Sequence, residues 1–123
     1  MAEMFSKPKP HENACLWLYK LITGLGIVVL LGVHFVVNHL VAPGGLLTYA
    51  DIVHYYSNPI IPVMEITFLI FVVSHSFVGV RSILLDLNPS IRLIRIMDWV
   101  LIILGIAAII YGSWLIAVIA ARG

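Results

Sequence analysis

Two of the five histidines in this sequence, His34 and His75, fall well inside long apolar stretches with few other ionisable groups; a third, His39, lies near the end of the first stretch. Such a residue at membrane depth is expensive to keep and marks a site or a partner. At about 100° per residue, His75, Gly79, Ser82 and Asp86 recur at i, i+4, i+7 and i+11 as one helical stripe, extended the other way by Phe71, Phe68 and Met64. In the preceding stretch Lys20, Thr23, Ile27, His34 and Asn38 point within roughly 40° of one direction. Both faces should turn into a helical bundle, because lipid would leave their donors unpaired. A neutral imidazole there is the usual axial ligand of a b-type haem iron held between helices. Gly79, one turn from His75, would let a flat macrocycle approach the backbone, and Lys20 and Arg81 offer cations for propionates. The other reading is that His75 only hydrogen-bonds across helices, as buried Ser and His do. Spacing alone leaves both open.

Depth separates the two histidines. His34 lies roughly 25 Å from the end of its span that carries Lys20, whereas His75 lies roughly 16 Å from the same side. They should therefore not share one iron. His75 would pair with a histidine of another chain; His34 would serve a second haem or hydrogen-bond in the interior.

The elements that position these residues follow from composition. The 123 residues are 62% hydrophobic and 11% charged, with a mean hydropathy of +1.09. A water-facing domain carries about 25% charged residues, so a soluble globule is excluded, and so is a disordered chain. One cysteine excludes a disulfide framework, a thiol redox pair and a cysteine-rich zinc site. Seven Lys and Arg against six Asp and Glu give no basic excess for nucleic acid. The expectation is an all-α membrane protein, a single anchor domain over 1–123. It has a polar tail at 1–15 that is neither a signal peptide nor a span, then three transmembrane helices at about 16–41, 60–87 and 94–121. Breaker clusters separate them: Ala42-Pro43-Gly44-Gly45, Ser57-Asn58-Pro59 and Asn88-Pro89-Ser90.

Lys7, Lys9, Lys20, Arg81, Arg92 and Arg95 fall on one side and Arg122 on the other, which predicts a cytoplasmic N-terminus and an outer C-terminus. The tyrosine-rich connection 46–56 reads as a short interfacial helix. His39 and His54 near the outer side and His11 in the tail are not expected to be ligands. Glu65 is expected to hydrogen-bond between helices or at the interface. Gly105, Ala108 and Gly112 form a small-residue stripe suited to close packing, with Trp99, Tyr111 and Trp114 as anchors or packing residues.

The run His75-Ser76-Phe77-Val78-Gly79-Val80-Arg81-Ser82-Ile83-Leu84-Leu85-Asp86 resembles the H-x-x-x-G-x-x-x-x-x-x-D signature of the membrane anchors of succinate dehydrogenase, or succinate:quinone oxidoreductase. The likeness covers nearly the whole chain. It is nearer the D-type anchor, given Leu18-Tyr19-Lys20-Leu21-Ile22-Thr23 at the opening of the first span. The C-type anchor shares the second-span motif but adds a Ser-x-x-x-Arg or His-Arg element that is absent here.

The resemblance implies that His75 is an axial ligand of haem b, and that Asp86, with Ser82 on its stripe, lies by the quinone site near the iron–sulfur subunit. The family's tyrosine after that aspartate is Leu87 here, so the quinone contact would come from elsewhere. Lys20 stands where the family often has an arginine near a propionate, without that residue's bidentate fork. Asp86 could instead cap its helix or pair with Arg81 or Arg92, and Arg81 could be a snorkelling anchor. His34 matches the two-haem members, which carry a histidine in the first span.

The resemblance thus implies an anchor in the cell inner membrane, part of a larger bundle with a second anchor subunit. It would hold the flavoprotein with its FAD and the iron–sulfur subunit with its clusters, bind one haem b or two, and help form a site for menaquinone or ubiquinone. A fumarate reductase running in reverse, a standalone b-type cytochrome and a small haem-free structural membrane protein are the alternatives.

Overall fold

The computed structural model describes residues 13–41, 44 and 47–123; Lys7, Lys9, His11 and part of the first breaker cluster lie outside them. Among the described residues every regular element is helical. α1 covers Ala14–Phe35 and continues as a π-helical segment through Val36–Val41; α2 covers Tyr49–Tyr56, α3 Ile60–Leu85 and α4 Ile91–Ala120. Three of these are long and apolar enough to span a membrane, at Ala14–Val41, Ile60–Leu85 and Ile91–Ala120. At 1.5 Å per residue each exceeds the roughly 30 Å of a hydrocarbon core.

Capping chemistry sets the ends a few residues away from the hydropathy boundaries. Asn13 accepts from the Leu16 amide at 2.8 Å, so the first span starts at Ala14. Asp86 is the C-cap of α3, followed by Asn88 in the left-handed region at φ 50° and then Pro89, so the second span stops at Leu85. Ser90 accepts from the Leu93 amide at 3.3 Å, which starts the third span at Ile91 rather than near residue 94. The short helix expected in the tyrosine-rich connection forms as α2. It opens on a capping box in which Thr48 Oγ1 accepts from the Asp51 amide and Asp51 Oδ2 accepts from the Thr48 amide at 2.8 Å.

The helices pack around α3, which lies between α1 and α4; α2 rests against α3 and α4. Among the described residues α1 and α4 do not pack on one another. Lipid tails are as apolar as leucine, so helices join here by close fit and polar contacts rather than by burying a hydrophobic core. The burial pattern agrees: among the described residues only Leu85 is a buried large apolar side chain, while Thr23 and Glu65 are buried and polar. The small-residue stripe works as expected on α4. A Cβ at Gly105 would stand 2.9 Å from the Phe77 ring, and one at Gly112 would stand 2.5 Å from a Leu69 methyl. On α1, Gly26 takes the Phe71 ring in the same way, 2.6 Å from a built Cβ.

Candidate functional site

Both polar stripes meet in the seam between α1 and α3. The antiparallel course of the two helices gives a ladder of cross-helix hydrogen bonds. Lys20 Nζ donates to Ser82 Oγ at 3.0 Å, Thr23 Oγ1 lies 3.0 Å from His75 Nδ1, and His34 Nδ1 lies 3.0 Å from Glu65 Oε1. Beside them Tyr19 donates its hydroxyl to Ser74 Oγ at 2.6 Å. The rotational phase read from the sequence is therefore the phase of the contact, and Lys20, Thr23, His34, His75 and Ser82 all lie on it.

His75 sits half-buried in this seam. Its partner Thr23 is 2% exposed and is bonded back to its own helix, 2.7 Å from Tyr19 O and 3.3 Å from Lys20 O. The imidazole edge lies over Gly24, where a Cβ would stand 3.1 Å from Cε1. One turn beyond, a Cβ at Gly79 would meet nothing within 4 Å, so among the described residues no side chain packs against that point of α3. Among the described residues no three His, Cys, Asp or Glu side chains converge on one point.

His34 occupies a separate level, eleven residues beyond Thr23 along α1 or roughly 16 Å. Its ring stacks on Phe68 with centroids 5.7 Å apart, and Glu65 beside it is 8% exposed. Two tyrosines of α2 feel that carboxylate. Desolvation, helped by the Glu65 charge, raises the phenol of Tyr55 and pushes that of Tyr56 up to about 12. His39 packs on Phe35 at 5.1 Å, and His54 lies in α2, both away from the seam.

Arg81 leaves the seam for α4. Its Nε donates to Asp98 Oδ1 at 2.6 Å and its Nη2 to Oδ2 at 3.3 Å, a fork grip on one carboxylate. This pair, together with Tyr19 and Ser74, borders an apolar groove of 490 Å³ left where α1 and α4 fail to touch. Asp86 caps α3 and is exposed.

Asp98 is the residue that sequence reasoning passed over. The signal was there: it is the one carboxylate inside the third apolar stretch, and such a group requires a cation within reach. Glu65 reads from the sequence as a hydrogen bonder rather than a proton relay, and the structure supplies its partner, His34. Tyr19 and Ser74 gave no sign of their contact.

Comparison with known proteins completes the picture. Residues 2–113 match the family model described as succinate dehydrogenase/fumarate reductase transmembrane subunit. A relative in Archaeoglobus fulgidus, named succinate dehydrogenase hydrophobic membrane anchor subunit, is 32% identical over 116 residues, covering 94% of this chain and 97% of that protein. No solved structure matches the chain.

Proposed function

The chain belongs to the succinate dehydrogenase/fumarate reductase transmembrane subunits, and from that premise we propose that it anchors such a complex and contributes His75 as one axial ligand of a haem b. The observation that carries this reading is the setting of His75. One ring nitrogen is satisfied within the chain by Thr23, the ring is half-buried, and among the described residues nothing stands within 4 Å of a Cβ built at Gly79. A histidine that orients through one nitrogen and ligates through the other is the usual arrangement at a metal. The second axial ligand belongs to a second anchor subunit, since His34 stands at another level. When bound, a haem b supplies a one-electron site between donor and quinone.

The chain's own residues then divide the remaining work. Lys20, at the end of the ladder with Ser82, supplies positive charge for a propionate. Arg81 is a poorer candidate for that role because Asp98 already holds its guanidinium. Asp86 and Ser82 border the quinone side, where the chain meets the iron–sulfur subunit; that subunit's clusters and the FAD of the flavoprotein subunit lie outside this polypeptide. The quinone, menaquinone or ubiquinone, takes hydrogen bonds from another chain or from another residue of this one in place of Leu87. Excess Lys and Arg at the Lys20 and Arg81 ends support a cytoplasmic N-terminus, and membership of the family supports residence in the cell inner membrane. The direction of turnover, succinate oxidation or fumarate reduction, follows the potential of the quinone.

His34 supports a second reading on its own observation. Glu65 fixes its Nδ1 side, as carboxylates do for metal-bound imidazoles, so a distal second haem fits there as well as a simple interior pair. The test is the dithionite-reduced minus oxidised spectrum of the purified complex, with haem counted per flavin. Wild type should show reduced b-type bands and His75→Ala should lose them, or lose one of two haems. A spectrum unchanged by His75→Ala refutes ligation by His75. A ratio of one haem per flavin that survives His34→Ala removes the distal site.

A further inference from the structure

We propose that Thr23 is the positioning residue for His75: it fixes the imidazole as the Nδ1–H tautomer and thereby leaves the lone pair on Nε2. This deepens the haem reading and rests on it only for its consequence, since the tautomer itself is a property of this chain.

The argument is a count of protons. A threonine hydroxyl has one hydrogen to give and two lone pairs to offer. Thr23 Oγ1 stands 2.7 Å from Tyr19 O and 3.3 Å from Lys20 O. Both are carbonyl oxygens, which only accept, so the hydroxyl hydrogen is committed to its own helix. This is the back-bonded state that Ser and Thr adopt in helices, and Thr67 to Val63 O and Ser74 to Ile70 O repeat it on α3. His75 Nδ1, 3.0 Å from the same oxygen, must then be the donor. A neutral imidazole that carries its hydrogen on Nδ1 has its lone pair on Nε2, the form in which it coordinates through that atom.

The same count operates next door. Ser74 gives its hydrogen to the Ile70 carbonyl and accepts from the Tyr19 hydroxyl at 2.6 Å. At both positions the hydroxyl hydrogen of Thr23 or Ser74 runs into a backbone carbonyl of its own helix and leaves an oxygen lone pair for the neighbouring helix. Thr23 is the most buried side chain of the described structure, so water does not compete for this oxygen. Gly24 completes the device by leaving room for the ring edge, where any Cβ would crowd Cε1 at 3.1 Å. An acceptor on Nδ1–H raises the basicity of a ligating imidazole. It therefore favours the oxidised iron and lowers the midpoint potential.

Two measurements test this. The first uses the full chain in lipid nanodiscs without haem, labelled with ¹⁵N-histidine, and reads the two ring-nitrogen shifts of His75. Wild type and Thr23→Ser should show Nδ1 protonated and Nε2 unprotonated, and Thr23→Val should lose that fixed pattern. An Nε2–H pattern in wild type overturns the proposal, and needs no variant to fold. The second uses the assembled complex, comparing wild type, Thr23→Ser and Thr23→Val by redox titration of the b-type bands. Thr23→Val should retain haem but titrate at higher potential, and Thr23→Ser should restore the wild-type value. If His75→Ala abolishes the bands while Thr23→Val leaves both tautomer and potential unchanged, the assignment of Thr23 is wrong. If His75→Ala leaves the bands intact while the tautomer is as assigned, the haem reading fails and the Thr23 assignment stands.

Discussion

Removing Asp98 offers the sharpest test of how this bundle is held together. Its carboxylate takes two bonds from Arg81, and the two side chains are 34% and 24% exposed. An exposed ion pair contributes roughly 0–1 kcal/mol. Breaking a buried one by deleting a partner costs about 3–5 kcal/mol, because the surviving charge is left uncompensated. The partial burial puts Asp98→Ala between these limits, at about 2 kcal/mol, and Asp98→Asn, which keeps an acceptor, at about 1 kcal/mol. A cycle of Arg81→Ala, Asp98→Ala and the double variant should return a coupling energy of roughly 1–2 kcal/mol. The charge-swapped double variant, Arg81→Asp with Asp98→Arg, should regain about half of the loss. The assay is reversible unfolding of the full chain in mixed micelles titrated with a denaturing detergent, followed by tryptophan fluorescence. Single variants within about 0.5 kcal/mol of wild type, with additive effects in the double, would refute the claim that this pair fastens α3 to α4.

Three further outcomes follow from the packing and the loops. Gly105→Leu and Gly112→Leu should each destabilise the α3/α4 pair by about 1–3 kcal/mol in the same unfolding assay, because Phe77 and Leu69 occupy the space a side chain would need; Gly79→Ala, which meets nothing, should change stability by less than about 0.5 kcal/mol. Glu65→Gln should lower the Tyr56 phenol below its present value of about 12, read as the phenolate absorbance that Tyr56→Phe removes; no movement would deny that the carboxylate acts on α2. Its raised value means that the Tyr56 contribution to stability is complete below pH 10 and fades as pH climbs toward 12. The Thr48 hydroxyl and amide hold the Asp51 carboxyl below its usual 3.8, so its share of the α2 cap is complete above that pH and is lost as pH falls through the depressed value. Amide exchange over Tyr49–Tyr56 should accelerate in that acidic window for wild type, and Asp51→Asn should flatten the response.

Much of the architecture was legible because a bilayer allows so few solutions. Once the apolar runs exceed the hydrocarbon thickness, helix is the only open form, and the breakers around Pro59 and Pro89 fall between the helices. The helical phase of Lys20, Thr23, His34, His75 and Ser82 was equally readable, since polar atoms in lipid must find one another. The ends were read less well. Asn13, Asp86 and Ser90 set them through cap bonds that hydropathy does not register. Partner choice was least accessible. Nothing in the spacing says that Arg81 turns to Asp98 on α4 rather than back into the seam, because that depends on which side of α3 each neighbour occupies. The hydrogen-bond direction at Thr23 likewise needed the Tyr19 and Lys20 carbonyls in place.

Because, among the described residues, α1 and α4 pack on α3 and not on each other, the molecule has two flanks. One holds the Thr23–His75 and His34–Glu65 rungs; the other carries Gly105, Gly112 and the Arg81–Asp98 pair. Changes on opposite flanks share no partners, so their energetic effects should sum. Selection can thus retune the histidine seam of the first flank and the mechanical hold of the second as two separate dials.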